Sequence, residues 1–171
     1  AGVSKFWYDR LGRLVVSQNA KQAATNDYSY TLYDALGRIT EVGQKPSATV
    51  MLQTTSQVQS SLQSWMNASG TKNQLTRTVY DIADDNGVQL LMPQNNLRNR
   101  VSYTQVFDVD PGANQFNHNA ATYYTYDIHG NVETLLQDFG ISTGTPNSMN
   151  TTGNRFKIIS YQYDLISGKV N

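Results

Sequence analysis

Tyr8-Asp9-Arg10-Leu11-Gly12-Arg13-Leu14 decides how this chain folds. Nearly the same seven residues return as Tyr33-Asp34-Ala35-Leu36-Gly37-Arg38-Ile39 and as Tyr126-Asp127-Ile128-His129-Gly130-Asn131-Val132. The shared pattern is Tyr-Asp-x-x-Gly-[Arg/Asn]-apolar. Five of the 11 tyrosines are followed directly by aspartate, at Tyr8, Tyr33, Tyr80, Tyr126 and Tyr163, and self-similarity of this kind marks a repeat architecture. Each copy reads as a β-hairpin. Aspartate opens a type I turn, two residues cross it, and glycine supplies the positive φ from which the chain returns, a turn with a glycine bulge. Turns are therefore expected at residues 9–13, 34–38, 127–131 and 164–169.

Alternation supports the strands on either side. Each tyrosine and the residue two before it share a face, as Phe6/Tyr8, Thr31/Tyr33, Thr78/Tyr80, Tyr124/Tyr126 and Tyr161/Tyr163, and a strand repeats its facing every second residue. The return strands open on Leu14, Ile39, Val132 and Val170. The third copy is interrupted. Tyr80-Asp81 is separated from Leu97-Arg98-Asn99-Arg100-Val101 by a polar stretch containing Asp84-Asp85-Asn86-Gly87, and Asn99 stands where the others have glycine. Asparagine tolerates positive φ best among the other residues, so the turn chemistry survives. The last copy, Tyr163-Asp164-Leu165-Ile166-Ser167-Gly168-Lys169-Val170, carries one extra residue, and the sequence stops inside its return strand. This reading expects a piece of a larger array, with uncapped edges and marginal stability in isolation.

Composition agrees with strands and turns. The 171 residues include 16 Asn, 14 Gln and 11 Asp but only 2 Glu. Aspartate and asparagine favour turns where glutamate favours helices. The expected fold is all-β, a run of antiparallel hairpins near residues 5–18, 28–43, 76–107 (interrupted), 122–138 and 159–171, forming one segment over 1–171. One helical insertion is expected over 54–67, where Val58, Leu62, Trp65 and Met66 recur at helical spacing and Gly70 reads as a stop. The stretch between Gly140 and Gly153 reads as an exposed loop.

The Tyr-Asp-x-x-Gly-Arg hairpins resemble RHS repeats, also called YD repeats. These occur in bacterial polymorphic toxins, in the B and C subunits of insecticidal toxin complexes and in teneurins. The final Tyr-Asp-Leu-Ile-Ser-Gly-Lys-Val-Asn, with Asn96-Leu-Arg-Asn-Arg-Val101 upstream, is most similar to the large RHS-repeat proteins of Bacteroidetes. The resemblance spans all five units. It implies a strip of a spiralling β-sheet shell that encloses a C-terminal toxin or effector domain, with flanking RHS repeats and that enclosed domain as partners, in a secreted or surface-displayed protein. The family's self-cleaving aspartates have no match here. The motif residues are accordingly assigned a structural role: Tyr8, Asp9, Gly12 and Arg13; Tyr33, Asp34, Gly37 and Arg38; Tyr80, Asp81, Asn99 and Arg100; Tyr126, Asp127, Gly130 and Asn131; and Tyr163, Asp164 and Gly168.

Other chemistry is sparse. The 13 Lys and Arg balance the 13 Asp and Glu, so no excess of positive charge points to nucleic acid or an anionic membrane. No apolar run has the length of a membrane span. Zero cysteine removes disulfides, thiol nucleophiles and thiolate metal sites. His118 and His129 lie in no recognised ligand spacing and read as surface residues. Asp81-Ile-Ala-Asp84-Asp85-Asn86-Gly87 and Asp108-Val-Asp110 lack the alternation and closing glutamate of a calcium loop and read as turns. No nucleophile, base and orienting group can be assembled, so neither an enzyme nor a cofactor is expected. Asn67-Ala-Ser69 and Asn150-Thr-Thr152 match the short glycosylation pattern. The alternative function is an extracellular module that binds carbohydrate or a cell-surface protein through tyrosine faces flanked by Asp and Asn.

Overall fold

The computed structural model describes residues 2–84, 87–112, 117–140, 148–164 and 168–170. Its nine strands are β1 (Lys5–Tyr8), β2 (Leu14–Gln18), β3 (Asp27–Tyr33), β4 (Ile39–Pro46), β5 (Asn73–Tyr80), β6 (Val101–Val109), β7 (Ala120–Tyr126), β8 (Val132–Asp138) and β9 (Phe156–Ser160). They lie in one antiparallel sheet in sequence order. The chain is mostly β with a few short helices, and it divides into two compact units, Ala1–Thr76 and Arg77–Asn171, with β5 running across the division.

Three hairpins close in the same way. Gly12 N donates to the Asp9 carbonyl and Asp9 N to the Arg13 carbonyl; Gly37, Asp34 and Arg38 repeat this, as do Gly130, Asp127 and Asn131. That is a type I turn followed by a left-handed residue, with φ of +77° at Gly12, +82° at Gly37 and +97° at Gly130. A second irregularity follows each turn. Tyr8 faces Leu14 while Trp7 faces Val16, leaving Val15 extra; Thr40 and Glu133 are extra in the other two hairpins. An extra residue of this kind is a β-bulge, which bends its strand and increases the local twist.

In the first unit the core lies on one face of β1–β3. Trp7, Val16, Tyr28 and Tyr30 are buried with Met51, Leu62, Trp65 and Met66. Tyr28 meets Trp65 edge-on at 5.3 Å and Trp7 at 5.9 Å. The expected helix over 54–67 is present as two pieces, α2 (Gln53–Gln57) and α3 (Gln59–Asn67), because Val58 is extended at φ −108° and ψ 114°. The break lets each piece meet a different partner. Ser56 donates its hydroxyl to the Tyr8 carbonyl at 2.8 Å, while α3 turns Leu62, Trp65 and Met66 onto the core. Val58, expected on the packed face, is exposed. Helix α1 (Ala20–Thr25) was not anticipated; Asn19 and Gln22 cap its start reciprocally, at 2.9 and 3.0 Å, an arrangement that fixes a helix N-terminus.

In the second unit the core gathers Val88, Met92, Ala121, Tyr123 and Leu136, with Tyr103 against it. Val88 and Met92 come from the interruption of the third repeat, which holds a helical turn, α4 (Val88–Leu91). In the expected loop after Gly140, residues 141–147 lie outside the described ones. Ser148–Thr151 form a further helical turn, α5, and Gly140 is buried rather than exposed. Within the last expected hairpin β9 ends at Ser160, and a single bridge joins Tyr163 to Val170. Residues 165–167 and 171 lie outside the described residues.

Candidate functional site

The motif residues build a lock that works first within a hairpin and then between hairpins. Within a hairpin the aspartate is the centre. One carboxylate oxygen of Asp9 accepts the Leu11 and Arg13 N–H groups at 2.9 Å, and the other accepts Arg13 Nε at 2.7 Å. Asp34 makes the same bonds with Leu36 and Arg38 at 2.7–2.9 Å. Asp127 does so with His129 and Asn131, where the Asn131 amide replaces the guanidinium at 2.9 Å. A short acceptor at the first turn position is what these N–H groups require, and glutamate would overreach. Burial works to raise the Asp9 and Asp34 carboxyls, yet the Arg13 and Arg38 donors hold both below the usual range. The Asn131 side chain does most to hold Asp127 down.

Between hairpins the tyrosine acts. Tyr33 Oη donates to the Leu14 carbonyl at 2.9 Å, Tyr126 Oη to Val101 at 2.8 Å and Tyr163 Oη to Val132 at 2.9 Å. Each acceptor opens the return strand of the preceding hairpin, two residues past its Gly or Asn. The arginine of the preceding hairpin then covers the same ring: Arg13 lies 4.5 Å from the Tyr33 centroid and Arg100 5.3 Å from that of Tyr126. A guanidinium over an aromatic face is attracted by the ring's negative centre. Tyr8, on the first strand, is 44% exposed.

The interrupted third repeat keeps the frame. Asp81 N donates to the Arg100 carbonyl, as Asp9 N does to Arg13, and Asn99 takes the glycine position at φ +59° and donates its N–H to Asp81 Oδ1. Asp81 itself stands at φ +68° with Ile82 N bonded to the Tyr80 carbonyl at 2.7 Å, a γ-turn that sends the chain out into the insertion. Arg100 bonds the Asn96 carbonyl at 2.6 Å. Gly168 has φ +66°, and Gly168 N donates to the Asp164 carbonyl at 2.8 Å.

Three sites depart from their sequence reading or were not read. His118, expected at the surface, is 2% exposed. Its Nε2 lies 2.8 Å from Asp138 Oδ2, and Arg155 holds both oxygens of that carboxylate at 2.6 and 2.8 Å. Burial works to raise Asp138, but Arg155 and His118 hold it below its ordinary value. Close packing buries His118: a Cβ on Gly140 would stand 2.0 Å from the His118 carbonyl, so the backbone runs directly over the histidine. His129 is exposed in its turn. Lys45 is fully buried, and its ammonium bonds the Pro46, Ala68 and Ser69 carbonyls at 3.0–3.3 Å, just past the end of α3. Burial first, and then the Lys72 charge, lower its pKa. Asp108-Val-Asp110, expected as a turn, instead ends strand β6 with Asp108 and Val109; Asp108 accepts the Asn119 amide and Asp110 pairs with Arg77 at 3.0 Å. Among the described residues no three His, Cys, Asp or Glu side chains form a metal-binding group, and no helix is long and apolar enough to cross a membrane.

No family model matches the chain, and no curated protein matches its sequence. Among solved structures, the crystal structure of TcdB2-TccC3-TEV is similar with a TM-score of 0.51 and 13% identity, over 99% of this chain and 7% of that chain. The sheet thus matches a small part of a far longer chain. At this identity the likeness is one of fold.

Proposed function

We propose that this chain is a non-catalytic strip of an RHS-repeat shell, part of a secreted or surface-displayed bacterial protein whose wall encloses a C-terminal effector domain. The observation that carries the reading is the tyrosine lock. Tyr33, Tyr126 and Tyr163 each spend their hydroxyl on the preceding hairpin's carbonyl, so the repeated ring is committed to adding hairpin to hairpin. The fold likeness to TcdB2-TccC3-TEV over 7% of that chain supports a wall segment within a much larger particle. In a glycan-binding face, Tyr hydroxyls would be available to sugar; here Tyr126 is buried beneath Arg100. The test is expression of the complete open reading frame followed by electron microscopy and limited proteolysis. A hollow particle with this stretch in its wall and a protease-protected C-terminal domain is expected. A free-standing domain that binds immobilised glycans in a tyrosine-dependent manner would replace the shell reading with the recognition module.

A further inference from the structure

The hairpin lock makes no use of the helical insertion between β4 and β5. From Pro46 to Thr71 this insertion contains no charged residue, where 26 positions of a chain with 15% charged residues would carry about four. Much of it faces solvent, and a surface helix ordinarily carries charged and polar residues on its solvent side. On α3 that side instead holds Ser60, Ser61 and Ser64, although serine is a poorer helix former than alanine, glutamate or lysine. A local preference broken on an exposed element without a packing gain marks a site shaped for something other than the fold.

These serines meet Thr49 and Thr55 around a hollow of about 420 Å³ in the first unit, with Trp65 and Ala68 completing its lining. Hollows of roughly 300–1,000 Å³ are the size that holds small ligands. Serine in a helix often turns its hydroxyl back onto the preceding turn, as Ser56 does to the Gln53 carbonyl at 3.0 Å. The five hydroxyls of the hollow make no hydrogen bond to any described residue, so each offers one donor and two acceptor sites. Trp65 is buried and its indole N–H is committed to the Thr49 carbonyl at 2.9 Å, so Trp65 and Ala68 form the apolar part of the lining. No lining side chain carries a charge that would offset the desolvation of an ion. Beyond Ser60 the surface continues into a second hollow along Gln57, Gln59 and Gln63, which Arg10 borders. The complement of the first hollow is a neutral ligand with several hydroxyls on an apolar ring.

We propose that this hollow binds a neutral pyranose sugar, its hydroxyls toward Thr55, Ser61 and Ser64 and its C–H face toward Trp65 and Ala68. The site is separate from the motif tyrosines and stands whether or not the chain is a wall strip. A free sugar and the terminal sugar of a glycan share that chemistry. The test is an NMR titration of the whole chain with the methyl glycosides of glucose, mannose, galactose and N-acetylglucosamine, with glucuronate and cyclohexylmethanol in parallel. Trp7 and Trp65 are the two tryptophans, and the Trp65 indole N–H reports on the hollow. Saturable shifts, larger at Trp65 than at Trp7, are expected with at least one neutral glycoside and are expected to be weaker or absent with glucuronate and cyclohexylmethanol. Ser61→Ala and Ser64→Ala should each weaken binding about fivefold, the loss of one hydrogen bond. Both raise helix propensity, so that loss is not one of folding. A trisaccharide of the bound sugar separates the two sources. Tighter binding with shifts at the side-chain amides of Gln57, Gln59 and Gln63 points to a glycan, and equal or weaker binding points to a free sugar. Equal saturation by cyclohexylmethanol, tighter binding of glucuronate, unchanged affinity in both serine variants, or no saturation with any glycoside at tens of millimolar would overturn the proposal.

Discussion

Gly130→Ala tests whether a turn glycine serves its own hairpin and the preceding one at once. Its φ of +97° lies in the region that costs an L-residue about 1–2 kcal/mol. A Cβ there would also stand 2.6 Å from Arg100 Nη2 and 3.1 Å from Cζ. The guanidinium would have to leave its place 5.3 Å from the Tyr126 ring, forfeiting an attraction of about 0.5–1 kcal/mol. The total expected is about 1.5–3 kcal/mol. Gly12→Ala isolates the first component, since nothing lies within 4 Å of a Cβ there, and should cost about 1–2 kcal/mol. The assay is urea unfolding of Gly130→Ala, Arg100→Ala and the double variant. A coupling of about 0.5–1 kcal/mol is expected, because the alanine at 130 has nothing to displace once the guanidinium is gone. If Gly130→Ala costs the same with and without Arg100, the glycine has no role between hairpins and the reasoning is refuted.

Tyr126→Phe should destabilise by about 1 kcal/mol through the lost bond to the Val101 carbonyl, whereas Tyr8→Phe, at an exposed ring, should stay within about 0.5 kcal/mol; equal effects in a denaturant series would count against the lock. Asp138→Asn strands Arg155 and should cost about 3 kcal/mol, the low end for a broken buried pair because Arg155 is 31% exposed; an unchanged unfolding midpoint would contradict this. Asp9, Asp34, Asp127 and Asp138 are all held below their ordinary pKa. Their contribution is therefore complete above the unfolded value of about 3.9 and lost as pH falls through the lower folded values. Unfolding midpoints followed down through that window should drop, and drop less in Asp9→Asn. Lys45→Met takes the donor from the Pro46, Ala68 and Ser69 carbonyls and should cost about 1–3 kcal/mol, the range of a lost charged hydrogen-bond donor, with loss of α3 protection in hydrogen exchange as its signature.

The hairpins were legible because their chemistry is local. The aspartate, the glycine and the residue after it lie within five positions, and each has one physical task that few other residues perform. The bulge after each turn was not legible, since its extra residue is Val15, Thr40 or Glu133 and no side-chain type marks it. The helix over 54–67 was right in place and wrong in continuity. Helical spacing at Val58 matched the pattern, but a stretch whose Thr54, Thr55, Ser56, Val58 and Ser60 are of low propensity could yield one residue to tertiary contacts that bind Ser56 to β1. Asn19-x-x-Gln22 carried the signal for α1 in plain view. His118 was misread for a different reason. Its partner Asp138 is 20 residues away, and Arg155 a further 17, so only the pairing of β7, β8 and β9 brings them together.

The third repeat shows why such an array tolerates insertion. Asp9 reaches Arg13 across four positions, whereas Asp81 reaches Arg100 across nineteen, a lengthening that raises the closure cost by only about 1.4 kcal/mol for a flexible loop. The insertion offsets it with its own bonds. Gln94 Nε2 donates to the Ser102 and Tyr124 carbonyls at 2.8 and 3.1 Å, Asn95 N to Thr125 Oγ1 at 3.0 Å and Asn96 Nδ2 to the Tyr126 carbonyl at 2.8 Å. Val88 and Met92 bury apolar surface besides. The lock itself needs only the two ends of the turn. Asp81 N still meets the Arg100 carbonyl, Arg100 still covers Tyr126, and Tyr126 still reaches Val101. Because the contacts between hairpins come from residues flanking the turn, the turn can lengthen into a helix-bearing excursion that adds Val88 and Met92 to the core while the lock stays closed.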